Sequence, residues 1–131
     1  MSRLGASRVV QRPLRIFCVE DNPLLVMHLQ AVIEDAGHVF AGSAARFDDL
    51  MSVFDLTDFD LALVDFDLAD GRTGGLVTEW LQARGRPSLF LTGQEQLAGK
   101  HAAASLGTIV KPVSEEALRS ALENAAKRLA R

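Results

Sequence analysis

Five short runs rich in Val, Ile, Leu and Phe punctuate the chain, at 14–19 (LRIFCV), 38–42 (HVFAG), 61–65 (LALVD), 88–92 (SLFLT) and 107–111 (GTIVK). They lack polar alternation, as strands buried on both faces of a parallel sheet do. Between them, apolar residues recur at helical spacing over about 23–36, 46–54, 75–84, 94–104 and 114–130. The last helix reads most clearly. Ser114 starts it with Glu116 and Ala117 behind, Pro112 blocks earlier extension, and Leu118, Leu122, Ala125 and Leu129 fall on one face. Pro23 likewise occupies the first turn after Asp21 and Asn22. In the third helix, Leu76, Val77, Trp80 and Leu81 are expected on the buried side. The order predicts an α/β domain with a doubly wound (βα)5 fold and a five-stranded parallel sheet. With right-handed crossovers, its ligands would lie outside the carboxyl ends of the strands.

Those ends carry the chemistry. Glu20 and Asp21 follow the first run, Asp65 and Asp67 the third, Thr92 and Gly93 the fourth, and Lys111 closes the fifth. Acids crowded at one sheet edge raise one another's pKa unless a cation sits among them. A hard divalent ion, Mg²⁺ by preference, takes one or two carboxylates, keeps waters, and accepts phosphate oxygens as further ligands. A lysine ammonium suits a phosphoryl oxygen. A hydroxyl beside a glycine amide can hydrogen-bond the charge on a transferring phosphoryl group. The set describes phosphoryl transfer to a carboxylate.

Composition narrows the picture further. A chain of 131 residues is the usual size of one domain. Residues 1–12, with Arg3, Arg8 and Arg12, are expected to form a flexible basic extension, and 13–131 the domain. A net charge of -3 gives no reason to expect nucleic acid or an anionic membrane as partner. The single cysteine, Cys18, excludes a disulfide framework and a multi-cysteine metal site, and is expected to be a buried small hydrophobe. The N-terminus has no apolar signal-peptide core, and nowhere do 18 apolar residues run together. A reduced, cytoplasmic setting is expected. His28, His38 and His101 stand away from the strands' carboxyl ends and are expected in ordinary surface or helix positions.

The combination of VEDN after the first strand, LALVD in the third, LTG in the fourth and VKP in the fifth resembles the receiver domain of bacterial two-component response regulators, over about residues 14–131. The resemblance implies a flavodoxin-like fold and a phosphoacceptor, Asp65. It implies that Glu20 and Asp21 hold Mg²⁺ directly or through water, with Asp65 itself and the backbone carbonyl of Asp67. Thr92 and the backbone of Gly93 would hold the phosphoryl oxygens, Lys111 would pair with the phosphoryl group, and the Lys111–Pro112 bond would be cis. The implied partners are a sensor histidine kinase or phosphotransfer protein and a downstream protein target, with a weak homodimer through the fourth helix, fifth strand and fifth helix. A stand-alone receiver is expected: a phosphorylated signalling domain rather than an enzyme, acting as a switch or phosphate shuttle through protein contacts.

Four features depart from the family's pattern. Thr108 stands where most receivers carry an aromatic on the fifth strand, so the usual threonine-to-aromatic relay is in question. Ala69 replaces the proline of the loop after the phosphoacceptor, and the glycine ending that loop comes one residue late, at Gly74. The fourth helical segment, QEQLAGKHAAAS, is short and interrupted by glycine, which predicts mobility. With FLTG, these departures resemble a subgroup of single-domain receivers known for a Phe-Ala-Thr-Gly motif, with Leu91 in place of the alanine.

Two other chemistries compete for the stretch around Asp65. A calcium loop of the EF-hand kind fails on register, because counting from Asp65 puts Gly71 seventh and Leu76 where a bidentate glutamate is needed. LVDFDLADG also resembles the hydrophobic-Asp-x-Asp signature of haloacid-dehalogenase-type phosphatases, with Asp65 as nucleophile and Asp67 as general acid. That signature normally ends the first strand of a longer chain, whereas here it ends the third. A pseudo-receiver that binds partners without phosphorylation is the third reading.

Overall fold

The computed structural model describes residues 12–68, 73–93, 101 and 103–130. Five strands form one sheet: β1 (Arg15–Val19), β2 (Val39–Ala44), β3 (Leu61–Asp65), β4 (Ser88–Thr92) and β5 (Thr108–Val110). Four helices are described: α1 (Pro23–Asp35), α2 (Phe47–Val53), α3 (Gly74–Ala83) and α4 (Glu115–Leu129), with a 3-10 turn over Phe54–Leu56. All neighbouring strands pair in parallel in the order β2-β1-β3-β4-β5. The predicted α/β doubly wound sheet is thus observed. The helical segment expected over 94–104 falls mostly on 94–100 and 102, outside the described residues, as do the basic extension up to residue 11 and Ala69.

Burial follows position in the sheet. The central strands β3 and β4 are buried at every residue, and β1 at all but Arg15. The expectation of burial on both faces fails at the edges. β2 buries only Ala44 and β5 only Ile109, because each has a neighbour on one side only.

On one face, Ile16, Cys18, Leu61, Leu63, Leu89, Leu91 and Ile109 pack against α1 and α4. On the other, Phe17, Val19, Ala62 and Val64 pack against Leu50 of α2 and Val77 and Leu81 of α3. Alternating residues of each strand feed opposite layers, as the pleat dictates. Cys18 is fully buried, and burial pushes its thiol well above the usual range, so it behaves as an inert small hydrophobe.

Local chemistry sets the helix starts that face the site. The Asn22 side chain accepts hydrogen bonds from the N–H groups of Leu24 (3.0 Å) and Leu25 (3.4 Å), and Pro23 fills the first helical position. Ser114 Oγ accepts from Ala117 N at 3.0 Å, and Leu118, Leu122 and Ala125 form the buried stripe of α4 as predicted. Helix α3 departs from expectation. Its buried stripe is Gly74, Val77, Thr78 and Leu81, and Leu76 is 54% exposed. The reason is contact at the helix start: a Cβ on Gly74 would lie 2.4 Å from the carbonyl oxygen of Asp65 and 2.5 Å from Cα of Phe66. Gly74 therefore faces β3, and helical periodicity carries Thr78 inward and Leu76 out.

Candidate functional site

Parallel pairing brings the carboxyl ends of β1, β3, β4 and β5 to one edge, and the polar residues there converge. Lys111, just past β5, places Nζ 3.0 Å from Asp65 Oδ1 and 3.6 Å from Glu20 Oε1. Glu20 and Asp65 are buried and Asp21 is exposed; each offers one carboxylate oxygen, and these three oxygens lie within 4.8 Å of one another. Thr92, the last residue of β4, is fully buried, and its carbonyl accepts a 2.8 Å hydrogen bond from Lys111 N. That bond ties the threonine and lysine strand ends together. Gly93 is exposed next to it. Asp67 is exposed, and its backbone N–H donates to Asp65 Oδ1 at 3.1 Å, turning the chain tightly around the acceptor carboxylate. The Lys111–Pro112 peptide is cis.

The electrostatics are those of acids held together against their preference. Glu20 Oε2 accepts from Asn22 N at 3.0 Å, but Glu20 Oε1 is buried with no hydrogen bond. At 3.6 Å the Lys111 ammonium is an ion pair to that oxygen rather than a hydrogen-bond donor. Burial first, and then the charge of Asp65 and hydrogen bonding with the Asp21 side chain, push Glu20 up to about 7, against the pull of Asn22 N–H and Lys111. Burial also holds Asp65 above the ordinary carboxylate range, although Lys111 and the Asp67 N–H both favour its ionised form. For Lys111, burial works against the charge, but hydrogen bonding and attraction from Asp65 and Glu20 outweigh it and hold the ammonium firmly protonated. The acids outnumber the single ammonium. A buried, unbonded carboxylate oxygen beside two further carboxylates is a donor set of hard oxygens, and it fits a small divalent cation.

Every sequence-predicted site residue is described, and the edge position predicted for each is observed. Other neighbours were not singled out from sequence. Asn22 both caps α1 and donates to Glu20. Phe66 follows Asp65 and packs edge-to-face on Phe90, with ring centroids 5.6 Å apart. His101 was expected in an ordinary position, yet its ring lies 6.0 Å from that of Phe66 and fills the space a Cβ on Gly75 would take. Its Nδ1 is 2.8 Å from Glu79 Oε2. The clue available in sequence was the glycine pair 74–75 at the start of a helix, where close approach of other atoms is one reason for glycine. The remaining histidines are structural: His38 Nδ1 accepts from Leu14 N at 3.0 Å, and His28 Nε2 lies 3.0 Å from the Val113 carbonyl.

Comparison with known proteins agrees with this geometry. Residues 16–123 match the response regulator receiver domain family, and the chain belongs to it. It is 32% identical over 115 residues to the virulence transcriptional regulatory protein PhoP of Salmonella typhimurium, covering 84% of this chain and 50% of that protein. It is 31% identical over 90 residues to the phyllosphere-induced regulator PhyR of Methylorubrum extorquens, covering 67% of this chain and 34% of that protein. The chain thus spans half or less of the length of these relatives. Among solved structures, the receiver domain of Erythrobacter litoralis PhyR superposes with a TM-score of 0.78 at 25% identity, covering 86% of this chain and 89% of that one. The signal receiver domain of a modulated diguanylate cyclase from Desulfovibrio desulfuricans shares the fold, with a TM-score of 0.79 at 22% identity, covering 89% and 96%. Receiver domains are signalling modules of two-component systems. No helix among the described residues is long and apolar enough to cross a membrane.

Proposed function

We propose that this chain is a phosphoacceptor receiver, in which Asp65 takes a phosphoryl group from a phosphohistidine on a sensor kinase or phosphotransfer protein. The observation that carries the reading is the Lys111–Asp65–Glu20 cluster. It gathers strand ends separated by 46 residues on one side of Asp65 and 45 on the other. In the reaction, a carboxylate oxygen of Asp65 bonds to phosphorus as the P–N bond to the donor imidazole breaks. The electron pair of that bond returns to the imidazole nitrogen. Lys111 stands ready to pair with the phosphoryl oxygens, and Thr92 with the Gly93 backbone would hydrogen-bond them. The protein supplies position and charge rather than new covalent chemistry.

Glu20, Asp21 and Asp65, with the Asp67 carbonyl, are the residues that would hold Mg²⁺. When bound, the ion would neutralise oxygens of the transferring group. The acyl phosphate hydrolyses, so the mark is transient. In the cytoplasm it would serve as a switch, or as a phosphate shuttle, through contact with a downstream protein, alone or as a weak homodimer.

The test is Mg²⁺-dependent labelling by a small acyl phosphate, followed by intact mass. One labile phosphate per wild-type chain and none on Asp65→Asn is the expected result, with loss of Mg²⁺ abolishing it. Equal labelling of both chains would sink the assignment. Multiple turnover of a phosphatase substrate would favour the haloacid-dehalogenase-type reading, and a wild type that takes no phosphate would favour the pseudo-receiver.

A further inference from the structure

We propose that the phosphorylation state of Asp65 is transmitted by an aromatic chain of Phe90, Phe66 and His101, in place of an aromatic on β5. This rests on the phosphoacceptor reading and names how that site would be read out.

The chain starts at both halves of the site. Phe66 directly follows Asp65, and its N–H donates to Leu91 O at 2.8 Å, which ties it to β4 between Phe90 and Thr92. Phe90, fully buried, lies two residues before Thr92, so both side chains leave β4 on the same face. Phe90 is in register with Thr108, which therefore shares that face, and the small threonine leaves the aromatic role on this face to β4. Phe66 and Phe90 form a buried cluster separate from the two main cores. Their edge-to-face contact, at 5.6 Å and 83°, can repack without disturbing either large layer.

The far end of the chain is anchored on α3. His101 packs against Phe66 and is seated on Gly75, where a Cβ would lie 2.4 Å from the imidazole ring. Glu79 holds its Nδ1, and the Gln82 side chain donates to Ala103 O at 3.2 Å, so His101 and Ala103 are each fastened to α3. Gly75 is itself held by the buried Thr78 hydroxyl, which donates to its carbonyl at 2.8 Å. A phosphoryl group on Asp65 that draws the Thr92 hydroxyl toward it moves the end of β4. Phe90 then shifts against Phe66, and His101, the only polar member of the aromatic chain, changes its seat between Phe66, Gly75 and Glu79. Packed groups with discrete arrangements convert such small displacements into a switch.

The experiment follows the His101 ring by NMR in full-length protein with Mg²⁺ and acyl phosphate, while intact mass reports the phosphate. In wild type, the His101 ring signals are expected to move on phosphorylation while those of His38, at the amino end of β2, stay. In Phe90→Leu the phosphate still forms, and the His101 displacement falls about threefold or more. Glu79→Gln, an exposed change that leaves the core intact, is the second variant. Because it alters the hold on the end of the chain that moves with the phosphate, it is expected to change the acyl phosphate lifetime by about threefold or more. Phosphate on Asp65 with a stationary His101, or an unchanged displacement in Phe90→Leu together with an unchanged lifetime in Glu79→Gln, overturns the aromatic chain alone. Absence of phosphate on wild type overturns the phosphoacceptor reading and this inference with it.

Discussion

Asp60 and Asp65 stand at the two ends of β3, and both meet a cation and a backbone N–H. Asp60 Oδ2 accepts from Arg15 N at 2.8 Å and Oδ1 pairs with the Arg15 guanidinium at 3.0 Å; Asp65 Oδ1 accepts from Asp67 N and from Lys111. Yet their acidities move in opposite directions. The hydrogen bond to Arg15 lowers Asp60, whereas burial raises Asp65 despite its partners. At the amino end, the cation and its second acid, Asp58, lie open to water. At the carboxyl end, two buried acids share one half-buried ammonium, with the Asp21 carboxylate close to both acids. The difference teaches that partners alone do not settle a charge; the solvent that burial removes decides the sign. One end of the strand closes an exposed ion pair, and the other stores repulsion that a cation or a phosphoryl group can relieve.

The sharpest way to break the comparison acts on the carboxyl end only. Gly74→Ala places a Cβ against backbone atoms of Asp65 and Phe66, which cannot swing aside as a side chain would. It is expected to cost about 1–3 kcal/mol in urea denaturation, with slower labelling of Asp65. Unchanged stability would show that the helix start does not brace the site.

The next effect is in pH. Glu20 has a folded value of about 7 against an ordinary 4.5, so the folded protein keeps a proton that the unfolded chain releases. Without divalent cation, the Glu20 contribution is fully present below the ordinary value and is lost as pH rises through about 7, by on the order of 1–3 kcal/mol. Asp60 runs the other way: its lowered value contributes stability above the ordinary aspartate range that is lost as pH falls through the folded value. Urea melts near about pH 3, about pH 5 and about pH 8 read both arms, the lowest pair for Asp60 and the highest pair for Glu20. Mg²⁺ needs ionised carboxylates, so it is expected to stabilise more at the higher pH. Equal stabilisation at both would remove the acid cluster as the metal site.

The smallest effect belongs to the amino end. Arg15→Ala removes a solvent-screened cluster, and the loss of stability is expected to be slight and to fade further as salt is raised. A large, salt-independent loss would erase the contrast between the two ends.

Much of the molecule was legible from residues alone. Uninterrupted apolar runs mark strands because a central parallel strand is covered on both faces, and all five runs became strands. The helix start at Ser114 was legible because capping is local chemistry. The site was legible as a set of strand ends because topology alone sends those ends to one edge. Less legible was the phase of α3, where Leu76, expected on the buried side, turns outward and Thr78 is buried because of the contact at Gly74. The edge positions of β2 and β5, and with them their partial burial, depend on strand order, which periodicity does not encode. His101 carried no motif, and its place against Gly75 and Phe66 depends on chain segments distant in sequence.

Local pattern and connection order were enough to give the alternation of the described strands and helices, the family, and the residues that stand at the carboxyl edge. Only the tertiary structure decided which of two adjacent acids, Glu20 or Asp21, is buried, and that Glu20 keeps an oxygen without a hydrogen bond. It alone decided that Lys111 answers both Asp65 and Glu20, and that aromatics on β4 and after β3 occupy the face left open by Thr108. The physical reason is common to these outcomes. Desolvation and packing depend on what surrounds a group in three dimensions, whereas periodicity and capping depend only on its neighbours along the chain.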